Sequence, residues 1–370
     1  MKKIVFIRSN PASPDSRLEK EISTMVKNGY SVSVLGWNRF GMSPGIEEKE
    51  GYTIKRFGLK SPVGFKIIFY WPMWWCWVIH NLLHSEWDFV HAADFDTYLP
   101  SLIAAKIKRR YVIYDIYDFF PDLIRLPGLI HRAFTWFDIS IMKLADRIII
   151  VDHCRLKQVH QTEGGKVSII YNSPNSDIIP SEKRESSKFK VFYGGVIYPD
   201  RDIQSMLRIA NEIEDMGVTV AGMGNQTMVN EITEYCNAHE NCSFIGTIPY
   251  SEVLSRSIES DVLYALYDPA IPNNRLVSPN KLFEAMMCGK PIIVNEGVAT
   301  ADKVREENCG LVVPYGDYEA LKEAVLTLKN NPELCKELGE NGRRAYETKY
   351  NWKIMEKRLL NLYASLENEQ

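Results

Sequence analysis

The chain of 370 residues is long enough for two domains of ordinary size, each able to bury its own core. It is 45% hydrophobic and 25% charged, as folded globular proteins are, and its seven cysteines (76, 154, 236, 242, 288, 309, 335) include no C-x-x-C pair. That excludes a disulfide framework and suits a reducing cytoplasm.

The net charge of −3 hides an asymmetry. Residues 1–178 carry 23 Lys and Arg against 18 Asp and Glu, whereas residues 179–370 carry 21 against 29. Only the first half suits an anionic surface, and nucleic acid is not an expected partner, because no basic run exceeds K-I-K-R-R at 106–110.

The opening, MKKIVFIRSNPASPDSR, has too short an apolar run before Arg8 for a signal peptide and reads as a first buried strand. Further strands are expected near 32–36, 88–91, 111–115, 147–151 and 167–170. Between the first two, Ile22, Met25 and Val26 form the inner stripe of a helix that Asn28-Gly29 ends. The segment 65–84, FKIIFYWPMWWCWVIHNLLH, breaks the pattern with an uncharged run that holds Trp71, Trp74, Trp75 and Trp77. It is too short to span a bilayer. It is either a core helix packed on the sheet or a helix dipping into a membrane surface, where tryptophan keeps its N–H wet.

A polar, Pro/Ser-rich stretch at 174–188 reads as a linker. The pattern then restarts, with strands at 189–194, 218–221, 242–245, 261–265, 291–294 and 310–313. Helices are expected at 202–215, 226–237 and 279–288, with two more closing the chain. The organisation is therefore a domain over 1–175, a linker over 176–188, a second domain over 189–350 and a closing helix over 351–370. Two α/β halves of this kind are Rossmann-like, with ligands expected at the carboxyl ends of the strands, in a central cleft.

The stretch LVSPNKLFEAMMCGKPIIV at 276–294 carries the strongest chemistry. Ser278 suits a helix cap and Pro279 a first helical turn, followed by Asn280. A helix N-terminus attracts phosphate. Lys281 adds a full positive charge there, and Glu284, one turn on, is placed to accept hydrogen bonds from two sugar hydroxyls. These are parts for a nucleoside diphosphate and its ribose.

The stretch SPNKLFEAMMCGKPIIVNEG resembles the nucleotide-sugar signature of the family-4 glycosyltransferases, retaining enzymes of the two-domain GT-B fold. The likeness extends over nearly the whole chain. It includes DSRLEKEISTMVKNGYSVSVLGWNR, FVHAADFDTYLPSLIAAK, YDIYDFFPD, VFYGGVIYPDRDIQSMLRIA and GENGRRAYETKYNWKIMEKRLLNLY. The resemblance implies a closing helix that crosses back onto the first domain. It also implies a donor site from Gly195, Arg201, Gly222, Asn274, Arg275, Ser278, Pro279, Asn280, Lys281 and Glu284.

Three positions depart from the family pattern. Leu276 stands where the first Glu of E-x(7)-E belongs, with Asn273, Asn274 and Arg275 as nearby polar substitutes. Val196 replaces a cation near the start of the second domain and leaves Arg201. Tyr117 and Asp118 stand for the His and Glu of Y-D-x-H-E. Arg17 and Lys20 resemble the D-P-R-x-x-K-E of one branch of the family; they are either ligands for an acceptor phosphate or a solvated helix end. Asp94 belongs to the same expected acceptor side.

Other motifs carry less. Gly222-Met-Gly224-Asn-Gln-Thr227 lacks the third glycine of a dinucleotide fingerprint and reads as a tight strand–helix turn. Gly41-Met-Ser43-Pro-Gly45 precedes an acidic EEKE and is no nucleophile elbow. His80 and His84 lack the Glu of a zinc helix, and the pairs Asp94/Asp96 and Asp200/Asp202 are as frequent as chance allows.

The expected activity is thus transfer of a sugar from a nucleoside diphosphate donor, UDP first, to a lipid-linked or other glycan acceptor. The reaction is expected to retain configuration and to need no metal or cofactor. Arg201 and Lys281 would stabilise the diphosphate, and Tyr117 or Asp118 would line the reacting centre. The expected location is cytoplasmic, on the inner face of the membrane. The alternatives are an inactive nucleotide-sugar binding protein and a nucleotide-sugar epimerase of the same fold.

Overall fold

The computed structural model describes residues 1–62, 64–123, 128–160, 165–175 and 188–369. The expected linker at 176–188 lies outside them, except for Lys188. The chain divides into two compact units, Met1–Tyr171 with Met355–Gln370, and Asn172–Ile354.

The first unit runs β1 (Lys3–Arg8), α1 (Ser16–Lys27), β2 (Ser31–Trp37), β3 (Ile46–Lys49), β4 (Tyr52–Phe57), α2 (Trp71–Leu83) and β5 (Phe89–Ala93). It continues with α3 (Phe95–Lys108), β6 (Tyr111–Ile116), α4 (Phe120–Leu123), α5 (Gly128–Met142), β7 (Arg147–Ile150) and β8 (Val167–Ile169). The second unit opens with β9 (Phe189–Gly194), α6 (Ile203–Glu212), β10 (Met216–Ala221), α7 (Gln226–Ala238), β11 (Cys242–Phe244), α8 (Tyr250–Glu259) and β12 (Val262–Ala265). It closes with α9 (Pro272–Arg275), α10 (Asn280–Cys288), β13 (Ile292–Asn295), α11 (Ala299–Glu307), β14 (Gly310–Val313), α12 (Tyr318–Asn330) and α13 (Pro332–Ala345). The final helix, α14 (Trp352–Glu367), carries the chain back into the first unit.

The strand order in the first unit is β3-β4-β2-β1-β5-β6-β7-β8, parallel except for the antiparallel β3–β4 edge. All five residues of β5 are buried, as a parallel sheet covered on both faces requires. One face carries α1 and α14: the Tyr363 hydroxyl meets His91 Nδ1 at 2.9 Å, and Tyr363 packs edge-on against Phe89. The other face carries α2, α3 and α5 side by side. Phe95 of α3 packs on Trp71 of α2 and on Phe134 of α5, and the Tyr98 hydroxyl donates to the Ile141 carbonyl.

The tryptophan stretch belongs to this second layer. Trp71 and Trp74 are buried, Trp74 stacks on Trp37 and Trp77, and Trp77 packs on Phe57. The indole N–H groups of Trp74 and Trp75 both donate to the Asp96 carbonyl. The expected membrane role is therefore corrected to a core role for Trp71 and Trp74, while Trp75 and Trp77 are half-buried and packed against the same layer.

The second unit is a parallel sheet in the order β11-β10-β9-β12-β13-β14. The helix expected from residue 279 begins at Asn280. Pro279 is its N-cap residue, in an extended conformation, and no side chain caps the helix. Ser278 is buried instead, and its carbonyl accepts from the Asn172 amide.

Candidate functional site

In the second unit the strands β9 and β10 end side by side, and their loops stay paired beyond the strands. Gly195 N–H donates to the Ala221 carbonyl, Ile197 to Met223, and Asn225 back to Ile197, each at 2.8–2.9 Å. A Cβ on Gly222 would stand 1.8 Å from the Gly195 carbonyl oxygen, and one on Gly224 2.0 Å from that of Ile197. The two glycines are there because backbone passes directly over backbone.

Into this floor projects Lys281, from the first turn of α10. Its Nζ lies 4.3 Å from the centre of the Tyr193 ring, close over Gly195, where an added Cβ would come within 2.4 Å. Burial pushes this ammonium down to about 8; Glu284 pulls it up and Arg201 pushes it further down. Glu284 is buried one turn along the helix, and the Tyr250 hydroxyl bonds to it, so burial and this carboxylate together raise the tyrosine.

Arg201 differs from expectation. Its guanidinium is paired with Asp200 at 2.7 Å, lies 3.4 Å from Asn274 Oδ1, and rests 4.2 Å above the Tyr267 ring. The Asn274 amide donates to Asp200 and to the Asp268 carbonyl, and Arg275 Nε donates to the Pro269 carbonyl. Asn274 and Arg275 thus tie the 268–275 loop to Asp200 and to its own backbone. Of the two expected diphosphate cations, Arg201 is thus paired with a carboxylate, whereas the Lys281 ammonium rests against an aromatic face, with Glu284 one turn away as a counter-charge.

The first unit gathers a second cluster at the carboxyl ends of β1, β5 and β6. Asp94 has a left-handed backbone (φ 69°); its Oδ1 accepts the backbone N–H groups of Tyr117 and Asp118 at 3.0 and 3.1 Å, and its Oδ2 takes Arg8. Burial, against the pull of Arg8, raises Asp94 to about 6. The Tyr117 ring is clamped between two guanidinium groups, Arg8 at 4.1 Å and Arg17 at 4.7 Å, with its hydroxyl turned toward Glu21.

Arg17 does not sit on a solvated helix end. It is buried, pairs with Asp115 at 3.1 Å and Glu21 at 3.0 Å, and donates to the Ile170 carbonyl. Burial alone would raise Asp115, but Arg17 and His91 outweigh it and hold the carboxyl low; burial keeps Glu21 high despite Arg17. Among the described residues, Glu21, His91 and Asp115 are close enough to share an ion, but the Arg17 guanidinium already occupies both carboxylates. Asp94 and Tyr117 are half-buried and engaged with Arg8. Lys20 is half-buried too, and Asp118, whose side chain is 44% exposed, is held by Arg155 at 3.4 Å.

Sequence reasoning did not single out Arg8, Tyr193, Tyr250 or Tyr267. Arg8 carried a usable signal, a cation directly after an apolar strand; the tyrosines lie within apolar runs or loops and carried none.

Comparison with known proteins places the fold. Residues 175–345, which lie within the second unit, match the family described as glycosyl transferases group 1. Along its whole length the chain has the GT-B fold: sucrose-phosphate synthase from Thermosynechococcus elongatus superposes with a TM-score of 0.80 at 16% identity, covering 100% of both chains. The Anabaena protein HepE, solved with UDP-glucose, superposes at 0.73 with 14% identity, covering 99% of this chain and 100% of that one. In sequence, the chain is 25% identical over 210 residues to an uncharacterised glycosyltransferase of Methanocaldococcus jannaschii, 56% of each chain. It is 26% identical over 172 residues to a GDP-mannose-dependent monoacylated alpha-(1-6)-phosphatidylinositol monomannoside mannosyltransferase of Corynebacterium glutamicum, 45% of this chain and 43% of that protein. The matches thus span about half the length of these curated relatives.

Proposed function

We propose that the protein is a retaining, metal-independent glycosyltransferase of polysaccharide or glycolipid synthesis. It takes a nucleoside diphosphate sugar on the second unit and passes the sugar to a lipid-linked glycan acceptor at the cytoplasmic membrane surface. The observation that carries this reading is the uncapped start of α10 with the buried Lys281 ammonium beside it, over a glycine floor. Helix N–H groups and a desolvated cation suit a diphosphate, and preorganised charge of this kind is typically the largest catalytic contribution. As the bond from the sugar C1 to the diphosphate oxygen breaks, the electron pair leaves with the diphosphate, where Lys281 receives the charge. The acceptor hydroxyl adds to C1 and gives up its proton to the departing diphosphate oxygen. Glu284 is positioned for the ribose, and UDP is the first donor to try, as in the HepE complex; the Corynebacterium relative, named for GDP-mannose, makes GDP the second.

The test is calorimetric binding of UDP- and GDP-sugars, then turnover with membrane extract in the presence of EDTA. Donor-dependent labelling of an extractable glycolipid is the expected result. Binding without turnover would replace the enzyme with a nucleotide-sugar binding protein. A new free sugar formed without acceptor would make it an epimerase, and loss in EDTA restored by Mn²⁺ would end the metal-independent reading.

A further inference from the structure

The helix layer of α2, α3 and α5 in the first unit turns an unusual face to solvent. On α5, Leu129 is 82% and Trp136 72% exposed, on the side of the helix opposite the buried Asp138 and Met142. On α3, Ile103 and Ile107 are exposed one turn apart, with Ile107 at 62%, and Phe69 is exposed just before α2. A soluble surface seldom gathers this many large apolar side chains on neighbouring helices.

Within the helices of this layer the exposed charges have one sign, although Glu86 is exposed three residues beyond α2. The two carboxylates within α2, α3 and α5, Asp96 and Asp138, are both buried. Lys106 and Arg132 are exposed on α3 and α5, and Arg109 and Lys143 directly follow those helices, also exposed. Apolar side chains interspersed with cations and, within the helices, free of exposed acid complement an anionic lipid surface, where the rings and aliphatic chains enter the interface and the cations meet headgroups. A protein partner of the same chain would meet the identical cations, which repel. No helix among the described residues is long and apolar enough to cross a membrane, so such contact is interfacial.

The geometry points to the outer face of α3 and α5 as a docking surface for an anionic lipid bilayer, in place of the buried tryptophans of 65–84. The assignment gives the proposed lipid-linked acceptor its place beside the first unit, and in purpose it rests on that reading. Its physical test does not.

The full chain is sedimented with vesicles of phosphatidylcholine alone and of phosphatidylcholine with phosphatidylglycerol, without nucleotide sugar. Binding to the anionic vesicles, weakened by salt and weak on neutral ones, is expected. The double variant Leu129→Ser/Trp136→Ser should bind at least tenfold more weakly, as should Lys106→Glu/Arg132→Glu, with melting temperatures near that of the parent, because all four side chains are exposed. Equal binding by parent and variants, or no binding by the parent, would overturn the proposal. A parent dimer that the Leu129→Ser/Trp136→Ser variant converts to monomer in sedimentation velocity would assign the face to a second copy instead. Failure to turn over any donor would leave the vesicle result standing and strike only the activity.

Discussion

The Lys281 ammonium lies 4.3 Å from the centre of the Tyr193 ring, a cation held over an aromatic face in the interior of the second unit. The ring stabilises the charge only in part, since quadrupole attraction amounts to about 2 kcal/mol when desolvated. Burial leaves the ammonium desolvated with Glu284 as its counter-charge, and an anion arriving at α10 would meet it there. A buried lysine in that state binds diphosphate more tightly than a hydrated surface lysine can.

Donor affinity should accordingly depend on pH. In the folded chain Lys281 loses its proton near 8, against 10.5 for an ordinary lysine. Between these values the unfolded chain binds one more proton, so stability rises with pH while donor affinity falls. Calorimetric titration of UDP across that window should show the falling limb in the parent and none in Lys281→Ala, which should bind about tenfold or more weakly. In Glu284→Gln the limb should move to lower pH, because Glu284 raises the lysine.

The two glycines of the floor should both resist substitution, but only one should act through Lys281. Gly222→Ala drives a methyl group into the Gly195 carbonyl and should cost about 1–3 kcal/mol or more in urea unfolding. Gly195→Ala strains a backbone at φ 155° and also meets the flexible end of Lys281, so it should lower stability and, by displacing the ammonium, weaken donor binding in calorimetry.

Arg17→Met should destabilise the chain by about 3–5 kcal/mol, because Asp115 and Glu21 would be left buried without their cation. Chemical denaturation measures this. A variant as stable as the parent but unable to use acceptor would return Arg17 to the acceptor site.

Trp74→Ala should cost about 3–5 kcal/mol as a large-to-small core substitution, whereas Trp136→Ser should leave the melting temperature close to the parent's. Thermal unfolding of the pair separates the core tryptophan from the surface one.

Most of the fold was legible because parallel strands covered on both faces are continuous apolar runs, as in FVHAA and KVFYG. The β3–β4 hairpin was not, since IEEK at a sheet edge needs no apolar pattern. Helix α8 was missed because its apolar residues, Tyr250, Val253, Leu254 and Ile258, are few and share their face with the buried Ser257. At the site, Lys281 and Glu284 were legible because the chemistry sits within one turn of helix. Arg17 was misjudged because its second partner, Asp115, is 98 residues away and no local pattern shows it. The tryptophans of 65–84 show the same limit: apolar character states that a side chain leaves water, not whether protein or lipid receives it.

The return of the chain at Met355 has a consequence for biosynthesis. His91 and Phe89, central in the first sheet, are covered by Tyr363, which leaves the ribosome some 270 residues later. The first unit cannot finish its core as it emerges; the second unit, a continuous segment, can. Synthesis therefore passes through a stage in which the second unit is folded while one face of the first sheet still waits for its last helix, and a nascent chain stalled there would display β5 to chaperones.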